Sequence, residues 1–175
     1  MSDAPAELVR YDVADAVATI TLDSQHNRNA LSRQLVTELF AHLEAAEADD
    51  AVRVVLIRAE GRVFCSGADL TEASAEGMEV GARRIVDLQR LIVTMSKPVV
   101  TRLHGAVRAG GIGIVAASDV AIAAHEARVV AVSSSSASKS PPALSVRYRL
   151  PHATSPIRIG TPRKPRIGGC SAGKP

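Results

Sequence analysis

The residues with the most chemical promise in this chain are small ones. Gly61 to Leu70 reads Gly-Arg-Val-Phe-Cys-Ser-Gly-Ala-Asp-Leu and follows an apolar, strand-like run. A second cluster, Gly105-Ala-Val-Arg-Ala-Gly-Gly-Ile-Gly113, leaves the next apolar run in the same way. Small residues let a ligand approach the backbone. Two such loops, each at a strand exit, can aim two N–H groups at one carbonyl oxygen or oxyanion. Gly110-Gly111 also precedes an expected helix, whose N-terminus offers unpaired N–H groups and a positive dipole end. An ordinary strand-to-helix turn is the competing reading of the first loop taken alone.

Other chemistries fit less well. Gly111-Ile-Gly113-Ile-Val-Ala116 matches the dinucleotide pattern G-x-G-x-x-A after a strand. The acidic residue required about 20 positions later to hold a ribose falls in the serine run 133–136, so a dinucleotide enzyme is the third reading. A nucleophile elbow at Ser66 needs glycine where Phe64 stands. Cys65, between Phe64 and Ser66, is expected to be a buried, inert thiol. His26, His42, His104 and His125 are scattered without a second ligand at metal spacing, so no metal site is expected. Cys65 and Cys170 form neither a zinc pattern nor a disulfide framework.

The elements that must position the two loops follow from hydrophobic period. Val9–Val13 and Ala16–Leu22 read as strands of a hairpin with Asp15 at the turn. After the polar stretch Ser24–Asn29, Ser32 can cap a helix with Leu35, Leu39 and Leu43 on one face, Val36 and Phe40 beside them, and Asp49-Asp50 at its end. Val52–Ile57 is a nearly continuous apolar strand that suits a sheet covered on both faces. Val80 to Met95 is near helical spacing, ended by Lys97-Pro98, and Val99–Leu103 is the next strand. Gly110–Ser118 reads as a short buried helix and Asp119–Ala124 as a returning strand. Strands alternating with helices predict an α/β layer architecture.

At 175 residues the chain has the size of one domain, and an apolar fraction of 46% with 2% aromatic predicts an aliphatic core. No run approaches the ~18 apolar residues of a membrane span. The N-terminus shows no secretory pattern, and a reducing cytoplasm is expected. The charge of +3 hides a segregation. Residues 1–127 hold all 18 acidic residues and 12 of the 21 basic ones, a net of −6, while residues 128–175 hold only basic charge. Seven of the nine prolines also lie from Pro141 onward. The expected boundary is therefore at 127, followed by a basic, Pro/Ser-rich tail over 128–175 that is expected to be disordered. Without aromatic stacking residues the tail reads as solvated coil, and no nucleic-acid partner is expected.

In residues 8–125 the chain resembles the crotonase superfamily, also called the enoyl-CoA hydratase/isomerase family. The matching pieces are Asn27-Arg-Asn-Ala-Leu31, Val63-Phe-Cys-Ser-Gly-Ala-Asp-Leu70, Lys97-Pro-Val-Val-Thr-Arg-Leu-His-Gly105, and Ala109-Gly-Gly111 followed by Ser118-Asp-Val-Ala-Ile122. The resemblance implies a crotonase-like (ClpP/crotonase) α/β fold of repeated ββα units, incomplete here. It implies an acyl-CoA thioester whose carbonyl lies between the backbone N–H groups of Ser66 and Gly110, and whose enolate they stabilise. Ser66, Gly67, Ala68, Asp69 and Leu70 would border the CoA, and His26 to Arg28 would flank it. No cofactor is implied beyond coenzyme A as part of the substrate.

Two departures follow. The family's first catalytic glutamate corresponds to Gly113, and no acidic residue follows Glu126 to supply the second. Family chains continue into a further ββα portion and trimerising helices, whereas residues 128–175 read as the product of a shifted reading frame, so the homotrimer's contacts are expected to be missing. The expected protein is an acyl-CoA-binding member of lipid or fatty acid metabolism, a lyase or isomerase by resemblance and without hydratase glutamates. The rival is a catalytically inactive remnant or interaction protein with a basic tail.

Overall fold

The computed structural model describes residues 6–72 and 78–130. Strands β1 (Val9–Ala14) and β2 (Val17–Leu22) form an antiparallel hairpin paired from Val9↔Leu22 to Ala14↔Val17. Asp15 and Ala16 turn the chain with φ of 50° and 62°, as a two-residue primed turn requires. A 3-10 turn (Gln25–Asn27) leads to helix α1 (Arg33–Ala48), where the Ser32 hydroxyl accepts from the Leu35 N–H at 3.3 Å. Leu35, Val36, Leu39, Leu43 and Ala46 are its buried face, as the period predicts, with Phe40 half-buried beside them.

From here each pair of strands divides between two sheets. Strand β3 (Val54–Ala59) joins the hairpin in one sheet, and β4 (Val63–Cys65) starts another. Helix α2 (Met78–Thr94) leads to β5 (Val99–Leu103) and β6 (Ala106–Arg108), then helix α3 (Gly110–Ala117) to β7 (Val120–Ala123) and β8 (Arg128–Val130). The larger sheet runs β1-β2-β3-β5-β7, parallel beyond the hairpin, and the smaller runs β4-β6-β8, all parallel. Helix α1 packs on α2 and α2 on α3 over one aliphatic core that includes Ile20, Ile57, Phe64, Leu88 and Ile114. This is the expected crotonase-like α/β fold of ββα units.

Three expectations need correction. Strand β3 is not covered on both faces: Val55, Ile57 and Ala59 are buried while Val54, Leu56 and Arg58 are only partly so. Its outward apolar residues, Val54 and Leu56, keep part of their surface exposed. The small sheet was hidden in stretches read as loops, because strands of three residues are too short to show alternation. The fold also continues past the boundary expected at 127, since Arg128, Val129 and Val130 pair with Ala106, Val107 and Arg108. The rest of the expected disordered tail, from 131 onward, lies outside the described residues. Among the described residues, no helix is long and apolar enough to cross a membrane.

Candidate functional site

The first loop is built on a polar scaffold. Asn29 adopts φ 53°, which Asn tolerates better than most residues, and its side chain is 1% exposed. Its Oδ1 accepts from the Ser24 N–H at 2.7 Å, and its Nδ2 donates to the carbonyls of Glu60 (3.0 Å) and Val63 (2.9 Å). One side chain thus ties the turn after β2 to both ends of the β3–β4 connection. Asn27 Oδ1 accepts from the Ser24 hydroxyl at 2.9 Å and the Ala30 N–H at 3.2 Å. His104 donates to the Gly61 carbonyl at 2.6 Å, securing the start of the loop.

Strand β4 then delivers Cys65 into the core, and desolvation there pushes its thiol up to about 11. A thiol held protonated is no nucleophile at neutral pH. Gly67 takes φ 100°, and a Cβ there would lie 2.9 Å from the Ala109 methyl and 3.6 Å from the Gly110 nitrogen. The two small-residue loops therefore touch through Gly67. Asp69 Oδ1 accepts from the N–H groups of Thr71 (2.9 Å) and Glu72 (3.3 Å), capping the helical turn at residues 70–72.

The second loop is positioned by close approach. A Cβ on Gly105 would collide with the Arg62 carbonyl, and one on Gly111 would lie 2.7 Å from Cys65 Cβ and 2.8 Å from its sulfur. Helix α3 can therefore settle directly onto β4. Ala109 enters it with φ 42° and has no side-chain cap; the Ile112 N–H donates to the Ala109 carbonyl at 2.9 Å, and those of Gly110 and Gly111 have no partner among the described residues. Behind them Asp119 Oδ2 accepts from Val99 N–H at 2.8 Å, so this family-motif acid serves the sheet.

A cleft of about 360 Å³ opens where these parts meet. His26, Arg28, Ser66, Ala68, Asp69 and Leu70, all expected around a ligand, line it together with Asn27, Thr71 and Arg108. Gly67 and Gly110 do not line it and meet each other beneath. Leu70 is 77% exposed at its rim. A wider hollow of about 440 Å³ lies on the outward face of β1–β3, but its arginines are already paired: Arg10 with Asp23 (3.2 Å) and Arg58 with Glu60 (3.0 Å). The smaller cleft is the better ligand site because Arg28 and Arg108 line it without a carboxylate partner among the described residues.

One expected donor already has a partner. The Ser66 N–H is not free: it donates to the Arg28 carbonyl at 3.2 Å, and the Ser66 hydroxyl to the Asn27 carbonyl at 3.3 Å. The Gly67 carbonyl accepts from the Leu31 N–H at 2.8 Å. Ala68, next along, lines the cleft and its N–H has no partner among the described residues. Ala68 is exposed, so its N–H is open to solvent and to whatever occupies the cleft. Sequence reading missed this because Ser66, Gly67 and Ala68 are equally small. Only the closure of the Arg28 turn onto β4 separates them. It also missed Gln89, whose carboxamide occupies the space a side chain at Gly113 would need. The one available signal was its spacing of four from Ile85 on the same helix.

Residues 12–147 match the enoyl-CoA hydratase/isomerase family. A probable enoyl-CoA hydratase of Rhodobacter capsulatus is 34% identical over 68% of this chain and 47% of its own length. A trans-2-decenoyl-[acyl-carrier-protein] isomerase of Streptococcus mutans is 30% identical over 70% of this chain and 49% of its own. Among solved structures, a putative enoyl-CoA hydratase of Mycobacterium avium paratuberculosis superimposes with a TM-score of 0.66 at 41% identity, covering 71% of this chain and 50% of that one. An enoyl-CoA hydratase of Bacillus anthracis gives 0.68 at 28% identity, over 71% and 50%. The chain spans about half the length of these relatives. On its ββα architecture, its paired small-residue loops and these matches, the chain belongs to the enoyl-CoA hydratase/isomerase family.

Proposed function

We propose that the chain binds an acyl-CoA thioester in the cleft between the Gln25–Asn27 turn and the Ser66–Thr71 loop, with the thioester carbonyl held by the N–H groups of Ala68 and Gly110. The observation that carries this reading is the backbone accounting of the first loop. Ser66 N–H donates to Arg28, whereas Ala68 N–H has no partner among the described residues, and the nitrogen of Gly110 at the start of α3 lies against the neighbouring Gly67. Two neutral donors aimed at one oxygen favour charge on it, and so favour loss of a proton from the adjacent carbon. Arg28, Arg108 and His26 at the cleft suit the phosphates of CoA.

The reading stops at polarisation. Asp69 is the carboxylate that lines the cleft among the described residues, and both N–H bonds to its Oδ1 hold it as a cap. Gly113 has no side chain to move a proton. Hydration of crotonyl-CoA at an ordinary enzyme rate would contradict this assignment. Isothermal titration with CoA and acetyl-CoA tests the binding step. Dissociation constants on the order of micromolar are expected, and absence of heat with both ligands would overturn the proposal.

A further inference from the structure

Strand β7 ends the larger sheet, and no described strand pairs with its far side. All four of its residues are exposed, Val120 at 49% and Ile122 at 54%. The Asp119 N–H donates to the Val99 carbonyl of β5 at 3.0 Å, so by the alternation of a strand the N–H groups of Val120 and Ile122 turn the other way, toward the open edge. An apolar edge with neither Pro nor Lys in it is a template for a further strand. Its two faces differ. Val120 and Ile122 are registered with Val100 and Arg102 on the outward face, whereas Ala121 and Ala123 are registered with the buried Thr101 and Leu103. The core side of the sheet therefore ends on two side chains too small to cover it.

The topology shows how the chain can return to this edge. Each strand of the smaller sheet is followed by one that adds to the larger: β4 by β5 across residues 66–98, and β6 by β7 across residues 109–119. Strand β8 is the next of the smaller sheet and ends at Val130. Residues 131–143, two more than bridge β6 to β7, then lead to a stretch in which Leu144, Val146, Tyr148 and Leu150 alternate with Ser145, Arg147 and Arg149, between Pro142 and Pro151. We propose that residues 144–150 dock on β7 as an added parallel strand, with the four apolar side chains over Ala121 and Ala123 and the two arginines on the outward face. The parallel sense follows from the crossover, which leaves β8 as the one before it leaves β6. Large side chains beside small ones fill the end of the core, and main-chain bonds satisfy the open edge. The charges agree, since residues 128–175 hold only basic charge and residues 1–127 carry a net of −6.

Amide hydrogen exchange of the full chain, followed by NMR, tests the docking. In wild type the N–H groups of Val120 and Ile122 should exchange slowly. Val146→Pro, which puts a residue without an N–H in the middle of the added strand, should speed them at least about tenfold while the Ile57 N–H in β3 stays slow. Where that variant disturbs the whole fold, Val146→Lys, which places a charge on the apolar face, should act in the same direction. Fast exchange at Val120 and Ile122 in wild type, or slow exchange that both variants retain, overturns the proposal. Slow exchange that survives both substitutions and strengthens with protein concentration gives the edge to a second copy of the chain, and overturns it equally.

Discussion

Around the first loop, Asn27, Asn29 and Asp69 tie backbone to backbone through side-chain hydrogen bonds, whereas Gly105, Gly111 and Gly113 hold the second loop by leaving no room, or little, for a Cβ. Among the described residues both solutions end in an N–H without a partner, at Ala68 in one and at Gly110 in the other. They differ in how they fail. A polar tie that is cut leaves buried groups without partners, and the full desolvation cost of each appears. A close approach that is blocked pushes two elements apart, and the cost depends on whether the neighbour can yield.

The largest effect should come from the polar scaffold. Asn29→Ala leaves the Ser24 N–H and the Glu60 and Val63 carbonyls without their partner and places alanine at a left-handed φ. A loss of about 4 kcal/mol is expected in urea unfolding. A loss below about 1 kcal/mol would mean that water replaces the side chain and that the scaffold is softer than its geometry.

Gly111→Ala tests the other solution. Its Cβ would meet Cys65 Cβ at 2.7 Å and Val107 Cγ2 at 3.0 Å, both in buried strands that cannot swing aside. Overpacking of this kind costs about 3 kcal/mol. The same measurement reads it, and a neutral result would show that α3 can lift from β4 at little cost.

Cys65 lies where the two loops join and adds a pH dependence. Burial raises its folded value from 9.0 to about 11. The stability linked to the protonated thiol is fully present below the ordinary thiol value and is lost as pH rises from there through the folded one, in total about 2–3 kcal/mol. Unfolding free energies at about pH 8 and about pH 10.5 should differ in wild type, and the difference should shrink in Cys65→Ala. An equal slope in both would place the alkaline loss elsewhere.

The comparison also separates what the residue string shows from what it hides. Glycine clusters at strand exits, the Ser32 cap and the leucine face of α1 are local patterns, and each appears in the structure where its spacing put it. Strands β4, β6 and β8 were hidden because three residues carry no period, and they pair only with one another across long separations. The engagement of Ser66 was hidden for a related reason. Its N–H differs from that of Ala68 by a hydrogen bond to Arg28, far away in sequence, and nothing in their own neighbourhood encodes it. The weight of Asn29 was equally invisible, since its partners lie on three separate segments.

Smaller effects sharpen the contrast further. Asp69→Ala removes a cap from the turn at residues 70–72 and the weak 3.4 Å bond from Asn27. A loss of about 1 kcal/mol is expected by thermal unfolding. Acetyl-CoA titration of the same variant should show unchanged affinity if Asp69 serves the loop and not the acyl group, and a loss of tenfold or more would give the carboxylate a direct part in binding.

The smallest effect on stability should come from Gly113→Ala, and its sign is the informative part. Gly111 and Gly113 sit two positions apart in one helix, yet their added Cβ atoms meet very different neighbours. At Gly111 the obstacle is the Cys65 Cβ in a buried strand; at Gly113 it is the far end of the Gln89 side chain, which is partly exposed and free to rotate away. Alanine is also the better helix former, by about 0.8–1 kcal/mol over glycine. Displacing Gln89 offsets part of that, so thermal unfolding should show a net gain of about 0.5 kcal/mol. A loss comparable to that of Gly111→Ala would show that Gln89 is held as rigidly as the strand, and that the distinction between yielding and unyielding neighbours fails at the point where α2 meets α3.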